Sequence, residues 1–169
     1  MLKAAAKLIL ALNGNVKRSQ IASGMAWGVA LGLIPGSSVF WITLFLVTFL
    51  FRHNHWSKIF SMTIVKLLSP LFMYQIDSLG WFVLHLEALQ PLFTAMFNMP
   101  FVPFTRYNNT LVMGGLSGAA VLWLPSFLVF MALIPLYRKS IAPLIRNSRI
   151  VKAIGQFPLF KLIEKNFKD

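Results

Sequence analysis

The chain has 169 residues, of which 57% are hydrophobic and only 12% are charged, and its mean hydropathy is +0.71. A soluble domain has about 45–50% apolar and about 25% charged residues, so these values nearly exclude an ordinary water-soluble protein, and the 16 phenylalanines exclude a disordered chain. The absence of cysteine excludes disulfides, thiolate catalysis and cysteine-bound metals.

The positive charge, +12 net, is concentrated outside two long apolar stretches. Residues 19–51 and 107–137 contain no charged side chain, and basic residues lie at both ends of each. Long apolar stretches bounded by basic segments are typical of integral membrane proteins under the positive-inside rule. We therefore expect an all-α, polytopic membrane protein. It should contact membrane lipids and bind no nucleic acid, and the pattern is compatible with a homo-oligomer.

In chain order, the sequence predicts a transmembrane domain over residues 1–137 and a basic amphipathic, interfacial tail over 138–169. The transmembrane domain divides into repeat 1 (about 19–51), a middle section (56–105) and repeat 2 (about 107–137). Because both repeats have basic residues at each end, an even number of crossings between them is the simplest topology, with both termini in the cytoplasm.

Repeat 1 has a proline–glycine pair, Pro35-Gly36, at its middle, followed by Ser37. As one straight helix it would be about 50 Å long, whereas the hydrocarbon core is roughly 30 Å thick. Proline removes a helical hydrogen bond and clashes with the preceding turn. We expect a broken or re-entrant helical hairpin, and the break is either a plain turn or the lining of a functional site.

The two repeats share the spacing G-x-x-x-G-x6-P, with Gly24, Gly28 and Pro35 in the first and Gly114, Gly118 and Pro125 in the second. We interpret this as an internal repeat, with coincidence as the alternative, and predict a second helix break at Pro125. Because Gly24, Gly28 and Gly32 share one helix face, we expect close helix packing there, with a glycine-lined substrate path as the alternative.

The middle section carries two ionisable residues deep in apolar sequence, Lys66 and Asp77, on either side of Pro70, which is expected to kink the helix. About 16 Å of helical rise separates the two side chains, so they are not expected to pair. Lys66 fits a position near the interface and Asp77 a polar cavity. The pair His53-x-His55 lacks a third ligand nearby, so no metal, cofactor or catalytic site is predicted.

The segment from Ile21 to Leu84 resembles a known family through its pattern of small residues, prolines and polar residues. The resemblance is carried by Ala22, Gly24, Ala26, Gly28, Gly32, Pro35-Gly36, Arg52-x-Asn54, Ser69-Pro70 and Gly80. They resemble a bacterial inner-membrane family catalogued as domain of unknown function two-thousand-and-sixty-two, although that family usually has asparagine where this chain has Ser69. The resemblance implies location in the bacterial inner membrane and pairing with a large, mostly periplasmic, membrane-anchored protein, but no reaction.

Taken together, the pattern and the resemblance favour a non-enzymatic protein that takes part in transport of a lipid or other amphiphile. Broken helices with few intramembrane polar groups indicate the transport class, and the resemblance suggests the lipid and the partner. A small-solute or ion transporter is one alternative. A membrane anchor or assembly factor without translocation is the other.

Overall fold

A computed structural model describes residues 16–141, and this part of the chain is all-helical. The α-helices are α1 (Arg18–Leu33), α2 (Val39–Val47), α3 (His55–Leu68), α4 (Met73–Leu84), α5 (Gln90–Phe97) and α6 (Thr110–Leu136). Short 3₁₀ turns follow α2 (Thr48–Leu50) and α3 (Ser69–Phe72). Two more precede α5 (Glu87–Leu89) and α6 (Val102–Thr105). A π-helical turn, Tyr137–Ile141, follows α6.

The first apolar stretch is divided into two helices at the proline–glycine pair. Helix α1 ends at Leu33, Ile34 is extended, and α2 begins after the extended residue Ser38. This follows from Pro35, which has no N–H for the helix ladder and pushes the residue before it out of the helical region. With 16 and 9 residues, the two helices are about 24 Å and 14 Å long, and each is shorter than the hydrocarbon core.

Helix α1 is the most enclosed helix, because small residues let α3 approach one of its faces closely. A Cβ atom on Gly28 would lie 2.5 Å from the Lys58 carbonyl oxygen, and one on Gly32 would lie 2.5 Å from the Val65 Cβ. The start of α3 is fixed by Asn54, whose side chain caps the Ser57 N–H at 2.9 Å.

Helices α4 and α6 make a second close contact through glycines. Gly80 of α4 lies against the backbone of Thr110 and Gly114 of α6, and Gly114 lies against the Ile76 carbonyl. A side chain at either glycine would overlap backbone atoms, so both contacts depend on the absence of a Cβ atom at these two positions. Helix α6 also meets the end of α1, since Gly115 lies against Leu33 and Ile34.

Two helical segments among residues 16–141 are long and apolar enough to cross a membrane, His55–Leu84 and Thr110–Ser140. Only 6% and 11% of their most apolar windows are buried within the protein, unlike the core helix of a soluble domain. In the first segment, Pro70 lies in the 3₁₀ turn Ser69–Phe72 that joins α3 to α4.

The predicted break at Pro125 is wrong, because α6 continues through this residue from Thr110 to Leu136. Proline here removes one helical hydrogen bond, but Ser126 is followed by large apolar residues such as Phe127 and Leu128, which are not turn formers. A single proline is tolerated in a membrane helix when neighbouring groups accommodate the freed carbonyl. The second half of the predicted repeat is therefore one long helix and not a second hairpin.

By its contacts the chain divides into two compact units, Met1–Met131 and Ala132–Asp169. The features discussed below belong to the first unit. The predicted amphipathic tail lies outside the described residues, apart from 138–141.

Candidate ligand site at the helix break

The break between α1 and α2 leaves helical carbonyl groups without their usual partners, and side chains from two helices satisfy them. The indole N–H of Trp41 donates to the Leu31 carbonyl at 2.9 Å. The ammonium of Lys66 donates to the Ile34 carbonyl at 2.9 Å. The Ser38 hydroxyl donates to the Pro35 carbonyl at 2.9 Å. The turn is thus held by α2 and by the more distant helix α3.

Lys66 is the charged residue at this break. Its Nζ atom lies 5.2 Å from the centre of the Trp41 ring, which is a cation–π distance. It also lies 3.4 Å from the position that a Cβ on Gly36 would occupy. Lys66 therefore reaches from α3 across to the turn.

A small polar pocket of about 200 Å³ opens at this point, and we call it the Lys66 pocket. It is lined by Gly32, Leu33, Ile34, Pro35, Gly36, Lys66, Ser69, Met73, Ile76 and Leu111. The side chains of Lys66 and Ser69 and the backbone of the turn provide its polar groups. Four residues singled out from the sequence, Gly32, Pro35, Gly36 and Lys66, thus come together in one place.

An apolar cleft of about 380 Å³ lies on one side of this pocket, between α1, α2 and α6. We call it the Trp27 cleft, and its walls include Trp27, Ile34, Leu44, Ala119, Ala120 and Trp123. The rings of Trp27 and Trp123 meet edge to face, 5.7 Å apart. Ile34 lines both this cleft and the Lys66 pocket, so the two cavities adjoin.

A second apolar cleft of about 400 Å³ lies between α1, α3, α4 and α6. We call it the Phe72 cleft, and its walls include Leu33, Val65, Phe72, Leu79, Gly118 and Leu122. It shares Leu33, Ser69 and Ile76 with the Lys66 pocket. Both clefts have the volume of typical small-molecule sites, and both share wall residues with the same polar pocket.

The remaining residues singled out from the sequence lie elsewhere. Asp77 accepts a hydrogen bond from the Thr110 hydroxyl and does not line the Lys66 pocket. Ser37 is exposed in the turn, and Pro125 lies inside α6. Gly114 and Gly118 line the Phe72 cleft, and Gly114 also contacts α4.

A second buried cation, Lys58, was not singled out from the sequence. Its side chain is fully buried, donates to the Thr48 hydroxyl at 2.7 Å, and lies 4.7 Å and 4.1 Å from the rings of Phe45 and Phe49. The sequence does contain a pattern that indicates this contact. Trp41, Phe45 and Phe49 recur at four-residue steps, and Lys58 and Lys66 are eight residues apart on α3. One aromatic face of α2 therefore covers two lysines of α3.

The loop before α3 places His53 beside this cluster. Its ring lies 4.7 Å from that of His55 and makes no hydrogen bond within the described part of the chain. Burial, and then the charges of Lys58 and His55, lower the pKa of His53 to about 4. His53 is consequently neutral at physiological pH. Among residues 16–141, no group of three His, Cys, Asp or Glu side chains is placed to hold a metal ion.

Comparison with known proteins gives one informative relative. The chain is 33% identical over 161 residues to an uncharacterized protein of Treponema pallidum (strain Nichols), a match that covers 95% of this chain and 99% of the relative. No family model matches the chain, so its resemblance to the domain-of-unknown-function family stays a prediction. No solved structure matches it. Because the match extends over nearly the whole of both sequences, the chain belongs to the same family as the Treponema pallidum protein.

Proposed function

We propose that this protein takes part in moving a lipid or another amphiphile across or out of the bacterial inner membrane. The observation that carries the proposal is the pair of apolar clefts, each of which shares wall residues with one polar pocket. An amphiphile has this same division into apolar chains and a polar head, so its parts match the three cavities. The protein acts in this proposal as a non-enzymatic, multi-pass membrane protein with both termini in the cytoplasm.

The short hairpin of α1 and α2 supports this role. Neither helix is long enough to cross the bilayer, so the hairpin is re-entrant in our proposal and turns at Pro35-Gly36. Irregular backbone inside a membrane is tolerated where protein or a cavity lines it. The turn lies beside the Lys66 pocket, which fits a turn that lines a binding site.

The partner in this proposal is a large, membrane-anchored, mostly periplasmic protein. It is supported by the resemblance described above and not by any surface of the chain. A transporter of small polar solutes is less well supported, because the walls of both clefts are almost entirely apolar, with Ser69 and Gln75 as the polar residues of the Phe72 cleft.

The proposal is tested by measuring how much lipid stays with the purified protein when each cleft is filled. Ala120→Trp places a large ring in the Trp27 cleft, and Gly118→Leu fills the Phe72 cleft, where a Cβ would make only ordinary contacts of 3.7 Å and 3.8 Å. The matched control is Val121→Trp, since Val121 is 68% exposed and lines neither cleft.

We expect the protein purified in mild detergent to retain lipid, and each cleft-filling variant to retain less while folding normally. Mass spectrometry of the extracted lipid, normalised to protein, measures this. A protein that retains no lipid would contradict the proposal and favour the membrane-anchor alternative. Equal retention in all variants would show that the clefts are not the binding sites.

A further inference from the structure

We infer that the Lys66 pocket binds the anionic headgroup of a lipid whose chains lie in the two adjoining clefts. This inference rests on the proposed function and adds the class of lipid to it. It is based on the hydrogen bonding of Lys66, the absence of a nearby acid, the open approach at Gly36 and the way the cavities join.

The ammonium of Lys66 has hydrogen-bonding capacity left. It carries three N–H donors, and the Ile34 carbonyl accepts from one of them at 2.9 Å. The ammonium also lies over the face of the Trp41 ring, which attracts a cation without accepting a conventional hydrogen bond. Two donors are thus available to the oxygen atoms of a ligand.

The pocket contains a positive charge and no negative one. Asp77 and Glu87 are the acidic residues of the described part of the chain, and neither lines the pocket. The Asp77 carboxylate instead accepts from Thr110 on α6. Lys66 therefore has no carboxylate partner among residues 16–141, and an anionic ligand entering the pocket would supply one.

In the proposed topology, the charge of Lys66 lies inside the bilayer. It lies 11 residues after His55, the first residue of a segment apolar enough to span a membrane, which corresponds to about 16 Å of helix. An ionisable group at such a depth is costly unless it serves a pathway or has a partner. An anionic headgroup held here would lie below the surface of its own leaflet, as a lipid in transit must.

Glycine at position 36 keeps the approach to the ammonium open. Gly36 is exposed, and a Cβ there would lie 3.4 Å from Lys66 Nζ, at the edge of tight contact. A longer side chain would therefore cover the ammonium without disturbing the packed interior. The pocket shares Ile34 with the Trp27 cleft and Leu33 with the Phe72 cleft, so a lipid with two chains would have an apolar cleft near the headgroup for each chain.

The test is a competition between two lipids with the same acyl chains. The full chain is purified in dodecyl maltoside, stripped of lipid, and mixed with equal amounts of phosphatidylglycerol and diacylglycerol, which has the same chains but no phosphate. Native mass spectrometry then gives the ratio of the two complexes and the total lipid bound. We expect a preference of about tenfold or more for phosphatidylglycerol, because its phosphate accepts a charge-assisted hydrogen bond that diacylglycerol cannot accept.

Lys66→Gln should reduce that ratio to near one while the total lipid bound changes little, because the clefts remain. Lys66→Arg should keep the preference. The control is Arg52→Gln, which removes an exposed loop cation and should leave the ratio unchanged. A second variant, Gly36→Leu, should abolish the preference by covering the ammonium. If Lys66→Gln does not fold, this variant alone tests whether the ammonium causes the preference.

The outcomes separate the inference from the function on which it rests. Wild-type protein that binds no lipid contradicts the proposed function itself. Lipid binding without a preference, or a preference that survives both Lys66→Gln and Gly36→Leu, overturns the headgroup site alone. Inorganic phosphate is the third ligand tested: failure to displace the lipid at equal concentration supports a headgroup site, and full displacement would show a site for free anions.

Discussion

The close packing of α1 against α3 predicts that the single methyl group added by Gly28→Ala lowers the stability of the protein. A Cβ at this position would lie 2.5 Å from the Lys58 carbonyl oxygen, 2.7 Å from Ser61 Cβ and 2.8 Å from the Met62 nitrogen. Ordinary contact begins at 3.4 Å, so the shortest of these contacts falls 0.9 Å short (3.4 − 2.5). Two of the three atoms belong to the α3 backbone, so the clash is relieved only by moving a helix.

The same substitution at Gly118 is the matched control. Its Cβ would make ordinary contacts at 3.7 Å and 3.8 Å, with side-chain ends of Leu33 and Leu79. Both variants gain about 1 kcal/mol of helix propensity from alanine. Gly28→Ala alone carries an overpacking cost of about 1–3 kcal/mol, so the difference between the variants equals that cost.

The assay is thermal unfolding of the two purified variants in the same detergent, followed by circular dichroism. We expect Gly118→Ala to be at least as stable as the wild type, and Gly28→Ala to unfold at a lower temperature than Gly118→Ala. Equal stability of the two variants would refute the reasoning, because it would show that α3 does not lie against this face of α1.

Three further predictions concern the turn, the loop histidine and the topology. The double variant Pro35→Ala with Gly36→Ala should insert into the membrane at normal levels but fail to complement a deletion strain. Full complementation would show that the break is a plain turn without a functional role. Because the folded protein holds His53 neutral down to about pH 4, whereas an unfolded histidine protonates near pH 6.5, the wild type should lose stability as the pH falls from 6.5 towards 4. His53→Gln should flatten this dependence of the melting temperature on pH, and an unchanged slope would contradict the assignment. Single cysteines in His55→Cys and Asp169→Cys should resist a membrane-impermeant reagent in intact spheroplasts, and labelling of either would contradict cytoplasmic placement.

The local sequence was enough to predict the first helix break but misled us about the second. Pro35 is followed by Gly36-Ser37-Ser38, residues that form turns and supply a cap, whereas Pro125 is followed by Ser126 and a run of large apolar residues. The same proline spacing therefore gives a turn in one place and a continuous helix in the other. The residues after a proline decide this, and the shared G-x-x-x-G-x6-P spacing does not include them.

The surroundings of the two lysines could not be predicted from the sequence alone. The interfacial position expected for Lys66 stays a prediction, whereas its bond to the Ile34 carbonyl, 32 residues away in the chain, could not be foreseen. Lys58 was not singled out from the sequence, although its side chain is fully buried against α2. Both placements depend on which helix lies over α3, and periodicity along a single helix gives no information about that choice.

The most direct test of the central claim is an experimental structure of the full chain in nanodiscs containing anionic phospholipid, with a bound antibody fragment to aid alignment. We expect lipid density in the Trp27 cleft and the Phe72 cleft, with the headgroup in the Lys66 pocket within hydrogen-bond distance of Nζ. Clefts that are closed by side chains, or that hold no ordered lipid while Lys66 pairs with a protein carboxylate, would contradict it.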